Sequence, residues 1–275
     1  MNKRTERLIN KIYQETFKKV FTKQRIIQAS KGNSQQIISA ILQLQNSQQF
    51  DKFAKKFAKK LATTGLSNQK GMWKKYYNAA KEKHLGILPD TYSRYEKQLL
   101  EQIVVNNFKM IKSVPQHVLS VYQQKDVETL INQIATGKAG RKSFEKALKS
   151  HGYKNSKLIA RTESAKLQTA IDEYRATSLG SVCYKWLSSK DKRTRPSHRD
   201  MNDVIVFWRQ NSQKPLLDNM RGNAGEFPNC RCATLPILDE NDLTKSSYKV
   251  YDYHSDKIIT LSRKNLIAAI KKGGL

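Results

Sequence analysis

Apolar side chains recur at helical spacing through roughly the first two thirds of the chain. Over 5–28 the repeat is Leu8, Ile9, Ile12, Phe17, Val20 and Phe21. The stretch KGNS at 31–34 breaks it, and Asn33 or Ser34 can cap the helix that Ile37, Ile38, Ile41 and Leu42 predict over 36–46. In FDKFAKKFAKKLA, residues 50–62, one face collects Phe50, Phe53, Ala54, Phe57, Ala58 and Leu61, while Lys52, Lys55, Lys56, Lys59 and Lys60 lie off it. That pattern is a basic amphipathic helix. TTGLSNQKG at 63–71 reads as a loop. A helix over 72–86 places Trp73, Tyr76 and Tyr77 at core spacing, beside Lys74 and Lys75. After ILPD at 87–90, Asp90 or Thr91 can cap a helix over 91–113, which SVP ends. Shorter helices follow over 116–124 and 125–136, a stop at TGKAG, then helical pattern over 142–150 and 155–177.

Past Thr177 the period changes from helical to alternating. SVCYKWLSS at 181–189 sets Val182, Tyr184 and Trp186 against Cys183, Lys185 and Leu187, a strand. DKRTRPSHRDMND at 191–203 is a charged turn into a short helix, with Pro196 suited to its first position. VIVFW at 204–208 is a short strand, 209–229 a long irregular loop, and CRCATLPIL at 230–238 another strand. A loop of that length inside a domain is functional or tied down by side chains. The tail reads as paired strands and a closing helix over 263–272. The fold class expected is α+β: a mostly helical basic region over 1–124, then a small α+β domain over 125–275 with a short sheet.

Composition adds charge to this outline. The 275 residues hold 51 Lys+Arg and 23 Asp+Glu, a net charge of +28. Residues 1–160 carry 31 basic and 10 acidic side chains, and 161–275 carry 20 and 13. The amino-terminal excess suits a polyanion met without sequence readout. The helix over 50–62 has three readings: a core helix with solvated lysines, a nucleic-acid contact, or a membrane-surface helix. Aromatics among lysines at 73–77 suit either a core or stacking on bases. No window has the roughly 18 apolar residues of a membrane span, and the basic start lacks the apolar core of a secretory signal. Synthesis in a cytoplasm without stable membrane association is therefore expected. Three cysteines, Cys183, Cys230 and Cys232, are few for a disulfide scaffold.

Four pieces stand in one order: IARTES at 159–164 with Arg161 and Glu163; YKWLSSKDKRTRPSH at 184–198 with Trp186, Asp191, Arg193, Arg195 and His198; PNCRC at 228–232 with Asn229, Cys230, Arg231 and Cys232; and a strand. This arrangement resembles the phage Mu F-like minor head protein family, the head morphogenesis proteins of tailed phages and prophages, over about 125–238. Where that pattern places glycine after the histidine, this chain has Asp203. The resemblance implies a procapsid and virion protein that associates with the portal and other capsid components and contacts packaged double-stranded DNA without sequence preference. Lys52, Lys55, Lys56, Lys59, Lys60, Lys74 and Lys75 are the candidate DNA contacts. Some such proteins carry a fused effector; the residues after Asp239 show no catalytic set, and none is expected.

Cys230-x-Cys232 admits several chemistries. Zinc would use His198, Cys230 and Cys232, with Asp191, Asp200 or Cys183 as a fourth donor. In an extended strand, however, residues i and i+2 sit about 6–7 Å apart, farther than sulfurs sharing a zinc. A thiol nucleophile would need a histidine and an orienting group, and no protease signature surrounds these residues. A metal-dependent nuclease or transferase would use His198, Glu163 and the cysteines, but a nuclease needs converging carboxylates that the spacing does not show. The structural reading buries Cys230 and Cys232 under the Trp186 strand, with Asp191, Arg193, Arg195 and His198 pinning the long loop. On that reading there is no catalytic residue and no cofactor, zinc being the exception to test.

Overall fold

The computed structural model describes residues 3–22, 24–25, 35–67, 70–82, 89–122, 141–208, 217, 220 and 222–275. The expected break at KGNS, the helix over 125–136, its stop at TGKAG and much of the loop over 209–229 lie outside them. The architecture is α+β, helical first and with a sheet at the carboxyl end. The helices are α1 (Lys3–Val20), α2 (Gln35–Gln45), α3 (Gln48–Ser67), α4 (Lys70–Glu82), α5 (Pro89–Tyr122) and α6 (Arg141–Ser178). There follow β1 (Cys183–Leu187), α7 (Pro196–Asp200), β2 (Ile205–Phe207), β3 (Ala233–Ile237), a 3-10 turn at Glu240–Asp242, β4 (Ser247–Asp252), β5 (Lys257–Ser262) and α8 (Arg263–Lys272).

Three helices run further than their sequences predict. Thr63–Ser67 continue α3 instead of forming a loop. Gly65 is small for a reason: a Cβ there would meet Ile171 Cδ1 at 3.1 Å and Leu167 Cδ2 at 3.2 Å. Helix α5 passes through Pro115 instead of ending at SVP. Proline removes one helical hydrogen bond, yet Ile111, Val114 and Val118 are buried on both sides of it and hold the helix by packing. The patterns at 142–150 and 155–177 join into the single helix α6.

The chain divides into two compact units. One, Lys3–Thr64 with Leu100–Ala160, is helical. Its core sets Tyr13, Phe17, Val20, Ile37 and Ile41 with Val114 and Val118, and Ile9, Ile12, Phe50, Ala54, Ala58 and Leu61 with Ile111 and Ala160. The basic helix predicted over 50–62 thus buries its phenylalanine and alanine face and leaves Lys52, Lys55, Lys56, Lys59 and Lys60 exposed.

The other unit, Gly65–Leu99 with Arg161–Leu275, contains the sheet. Strand order is β3-β1-β2-β4-β5. β1 pairs antiparallel with β2 and β3, β2 parallel with β4, and β4 antiparallel with β5. At β1 and β2 both sheet faces are covered, so alternation there sorts residues between two cores, whereas β3, β4 and β5 keep exposed positions. Tyr184, Trp186, Val206 and Tyr251 face one cluster with Trp73, Tyr77, Ala176 and Leu179. Cys183, Ile205, Phe207, Ile237 and Val250 face the other with Leu266 and Ala269 of α8. Lys74 and Lys75 of α4 are exposed, and Tyr76 is 39% exposed beside its buried neighbours.

Candidate functional site: a buried histidine and two thiols

The site lies on the Trp186 face of the sheet, and three local signals build it. Pro196 occupies the first turn of α7, so its fixed φ starts the short helix that carries His198 inward. Asn229 takes a left-handed backbone, φ 55°, which asparagine tolerates better than most residues. The chain turns there, and Cys230 N donates to Phe227 O at 2.9 Å. β3 begins only at Ala233, so Cys230 and Cys232 precede the strand and are not part of it. This corrects the extended reading of CRC. Freed from strand geometry, the sulfurs converge: Cys230 Sγ lies 3.4 Å and Cys232 Sγ 3.5 Å from His198 Nδ1. Cys232 N donates to Cys230 Sγ at 3.3 Å.

The surroundings are apolar and closed. His198, Cys230 and Cys232 are 2%, 4% and 7% exposed. Trp186 and Phe227 meet the imidazole edge-on, with ring centroids 5.7 and 5.1 Å away. Hydrogen bonding from Cys232, with His198 beside it, lowers the pKa of Cys230 well below the usual thiol value. Cys232 moves the other way, because it holds the shared proton and is buried. Cys183, on the opposite sheet face, has only burial acting on it, and its thiol is pushed up to about 12. All three cysteines are free thiols.

The flanking residues named from sequence divide into those that reach this site and those that do not. Arg231 makes a two-pronged ion pair with Asp191, Nη2 to Oδ1 at 2.6 Å. That contact holds the Asp191 carboxyl down at about 2. Arg193 adds a backbone N–H to Asp191 Oδ1 at 3.0 Å. Arg195 stands at the N-cap of α7 and lines, with Ser189, Arg193, Thr194 and Asn229, a cavity of about 20 Å³ against the histidine and thiols. Arg161 Nη1 donates to Asn229 Oδ1 at 2.6 Å, so the Arg-Thr-Glu helix does grip the Asn-Cys-Arg-Cys turn. Glu163 does not join them; it pairs with Lys166 at 3.0 Å. Of the fourth donors considered for zinc, Asp191 is engaged by Arg231, Cys183 packs in the other cluster, and Asp200 is exposed. Among the described residues the group able to share a metal is His198, Cys230 and Cys232, whose donor atoms lie within 4.8 Å of one another.

Other contacts went unread in sequence. Thr162 Oγ1 accepts from Asn229 N at 2.9 Å, and Thr169 Oγ1 donates to Ala224 O at 2.7 Å. Gly225, φ 97°, has Thr169 Oγ1 only 2.6 Å from where a Cβ would stand. The paired threonines on α6 and a glycine in the loop were the available signal, but nothing local says that they meet. Asp203, in the glycine position of the motif, has φ 65°. The turn keeps the left-handed backbone without the glycine, and Asp203 N donates to Trp186 O at 2.9 Å.

Comparison with known proteins agrees with this placement. Residues 125–235 match the family described as Phage Mu protein F like protein. An uncharacterized protein of Haemophilus influenzae is 27% identical over 163 residues, which are 57% of this chain and 34% of that protein. The NAD(+)–arginine ADP-ribosyltransferase EFV of Enterococcus faecalis is 27% identical over 246 residues, 80% of this chain and 48% of that protein. The chain therefore spans half or less of the length of these relatives. No solved structure matches it significantly. Every landmark of the Arg161-to-Cys232 constellation falls inside the stretch, residues 125–235, over which the chain is similar to the Phage Mu protein F like family.

Proposed function

We propose that the protein is a minor head protein of a tailed phage or prophage, acting in head morphogenesis inside the procapsid and remaining in the virion. The observation that carries this reading is the family match over 125–235. The meeting of Trp186, His198, Cys230 and Cys232 in one buried cluster within the matched stretch supports it. The proposed partners are the portal with other capsid components, and packaged double-stranded DNA. For the DNA contact the support is physical: Lys52, Lys55, Lys56, Lys59 and Lys60 form one exposed basic helix surface, and Lys74 and Lys75 are exposed on α4. Such charges bind phosphates by counterion release, without reading bases. Among the described residues no helix is long and apolar enough to cross a membrane.

The role proposed for the buried constellation is structural. The rival reading, a metal-dependent nuclease or transferase, would need Glu163 to act with His198 and the cysteines, and Glu163 pairs instead with Lys166. The transferase activity in the name of the Enterococcus faecalis relative belongs to a protein of which this chain covers less than half. The deciding experiment is cryo-electron microscopy of heads assembled with and without the gene. Density at the portal vertex that vanishes with the deletion is expected. Heads of unchanged composition and infectivity would overturn the proposal.

A further inference from the structure

We propose that His198 Nδ1, Cys230 Sγ and Cys232 Sγ are a three-residue binding site for a thiophilic divalent cation, zinc above all, with the fourth coordination position open to the adjoining cavity. The proposal concerns this buried cluster alone and stands whether or not the protein acts in phage heads.

Geometry is the first argument. A tetrahedral zinc with bonds of about 2.05 Å to nitrogen and 2.3 Å to sulfur has N···S edges of about 3.6 Å. The observed edges are 3.4 and 3.5 Å, both from the same nitrogen. Two thiols packed for apolar reasons alone have no cause to face a single imidazole nitrogen at that spacing. Donor chemistry is the second argument. Two sulfurs and an imidazole are the soft and borderline donors zinc prefers, and calcium or magnesium would require oxygens. The thiols would enter as thiolates, and their protons would leave to solvent.

The surrounding groups supply what a metal site needs beyond its donors. Cys232 N–H is already directed at Cys230 Sγ, at 3.3 Å. Trp186 and Phe227 wall the imidazole on its apolar side. The donors are fixed from outside: His198 by the proline-started α7, and the thiols by the left-handed Asn229 and the Arg231–Asp191 pair. The cavity of about 20 Å³ touches all three donors and is lined otherwise by Ser189, Arg193, Thr194, Arg195, Asn229 and Arg231. That is room for one water molecule, which a three-ligand zinc would take as its fourth ligand.

The test uses the full chain, expressed in zinc-supplemented medium and purified under reducing conditions without chelator. Elemental analysis is expected to find about one zinc per chain, kept in Cys183→Ser and lost in the Cys230→Ser/Cys232→Ser double variant. Because that variant alters two buried side chains, wild-type protein stripped of metal is also titrated anaerobically with cobalt(II). Thiolate-to-cobalt charge-transfer absorption with strong tetrahedral visible bands is expected, bleached by zinc. Added azide should shift those bands if the fourth position is open, and bands indifferent to azide would overturn the open position. Wild-type protein with substoichiometric metal and no cobalt charge transfer would overturn the site itself.

Discussion

Gly225 shows how strictly single positions are specified around the thiols. Its φ of 97° and the 2.6 Å approach of Thr169 Oγ1 act together, so Gly225→Ala should cost at least about 1–3 kcal/mol in chemical denaturation. Adding Thr169→Ala should recover only the part due to the clash. Asp191 allows a second prediction at this scale. Its carboxyl sits at about 2 in the folded protein because of Arg231, below the ordinary 3.8. A depressed carboxylate stabilises the fold above its unfolded value, and the contribution fades as pH falls toward the folded one. Thermal melts of wild type and Asp191→Asn should therefore differ most above pH ~4 and converge toward pH ~2. A constant difference across that range would show that the pair does not hold the turn. Much at this scale was legible: Trp186, His198 and Cys230-x-Cys232 stand out as an ordered set, and all meet. Their convergence was not legible, because an extended CRC would hold the sulfurs apart. The left-handed Asn229 that redirects them is a torsion, and residue type only permits it.

Elements were legible where a local signal decides. β1 follows from alternation, α7 from Pro196, and the final hairpin with α8 from clean period changes, and all three appear. They failed where packing overrides propensity. Gly65 and Pro115 read as breakers, yet Leu167 and Ile171 crowd the first and buried valines flank the second. The join of α5 and α6 within the sheet-bearing unit makes the same point with charge. Arg175 is 1% exposed and donates to the Glu96 carboxylate at 2.8 and 3.1 Å and to Leu66 O at 3.0 Å. Removing one partner strands a buried charge, so Glu96→Ala should lose about 3–5 kcal/mol of stability. The double change Glu96→Ala/Arg175→Met should lose much less. Equal losses in denaturant titrations would show that side-chain volume, not charge, matters there.

At the scale of the whole molecule the governing quantity is a net charge of +28, concentrated in residues 1–160. If the exposed lysines of α3 meet phosphates, the logarithm of duplex affinity should fall linearly with the logarithm of salt. Replacing Lys52, Lys55, Lys56, Lys59 and Lys60 by glutamine should flatten that slope by up to about 4–5. Fluorescence anisotropy with two unrelated duplexes checks both points, and an unchanged slope would remove α3 from the contact. The α+β class was legible because periodicity changes once, near Thr177. The assembly of the sheet-bearing unit from residues 65–99 and 161–275 was not, since no local pattern tells α4 which later segment covers it. That split has a consequence on the ribosome. Trp73 and Tyr77 are translated on the order of 100 residues before Tyr184 and Trp186, which share their core, a delay of about 5–20 s at ribosomal elongation rates. For that interval the nascent polypeptide presents bare aromatic surface, so its yield should depend on holdase chaperones and on codon tempo more than its final stability suggests.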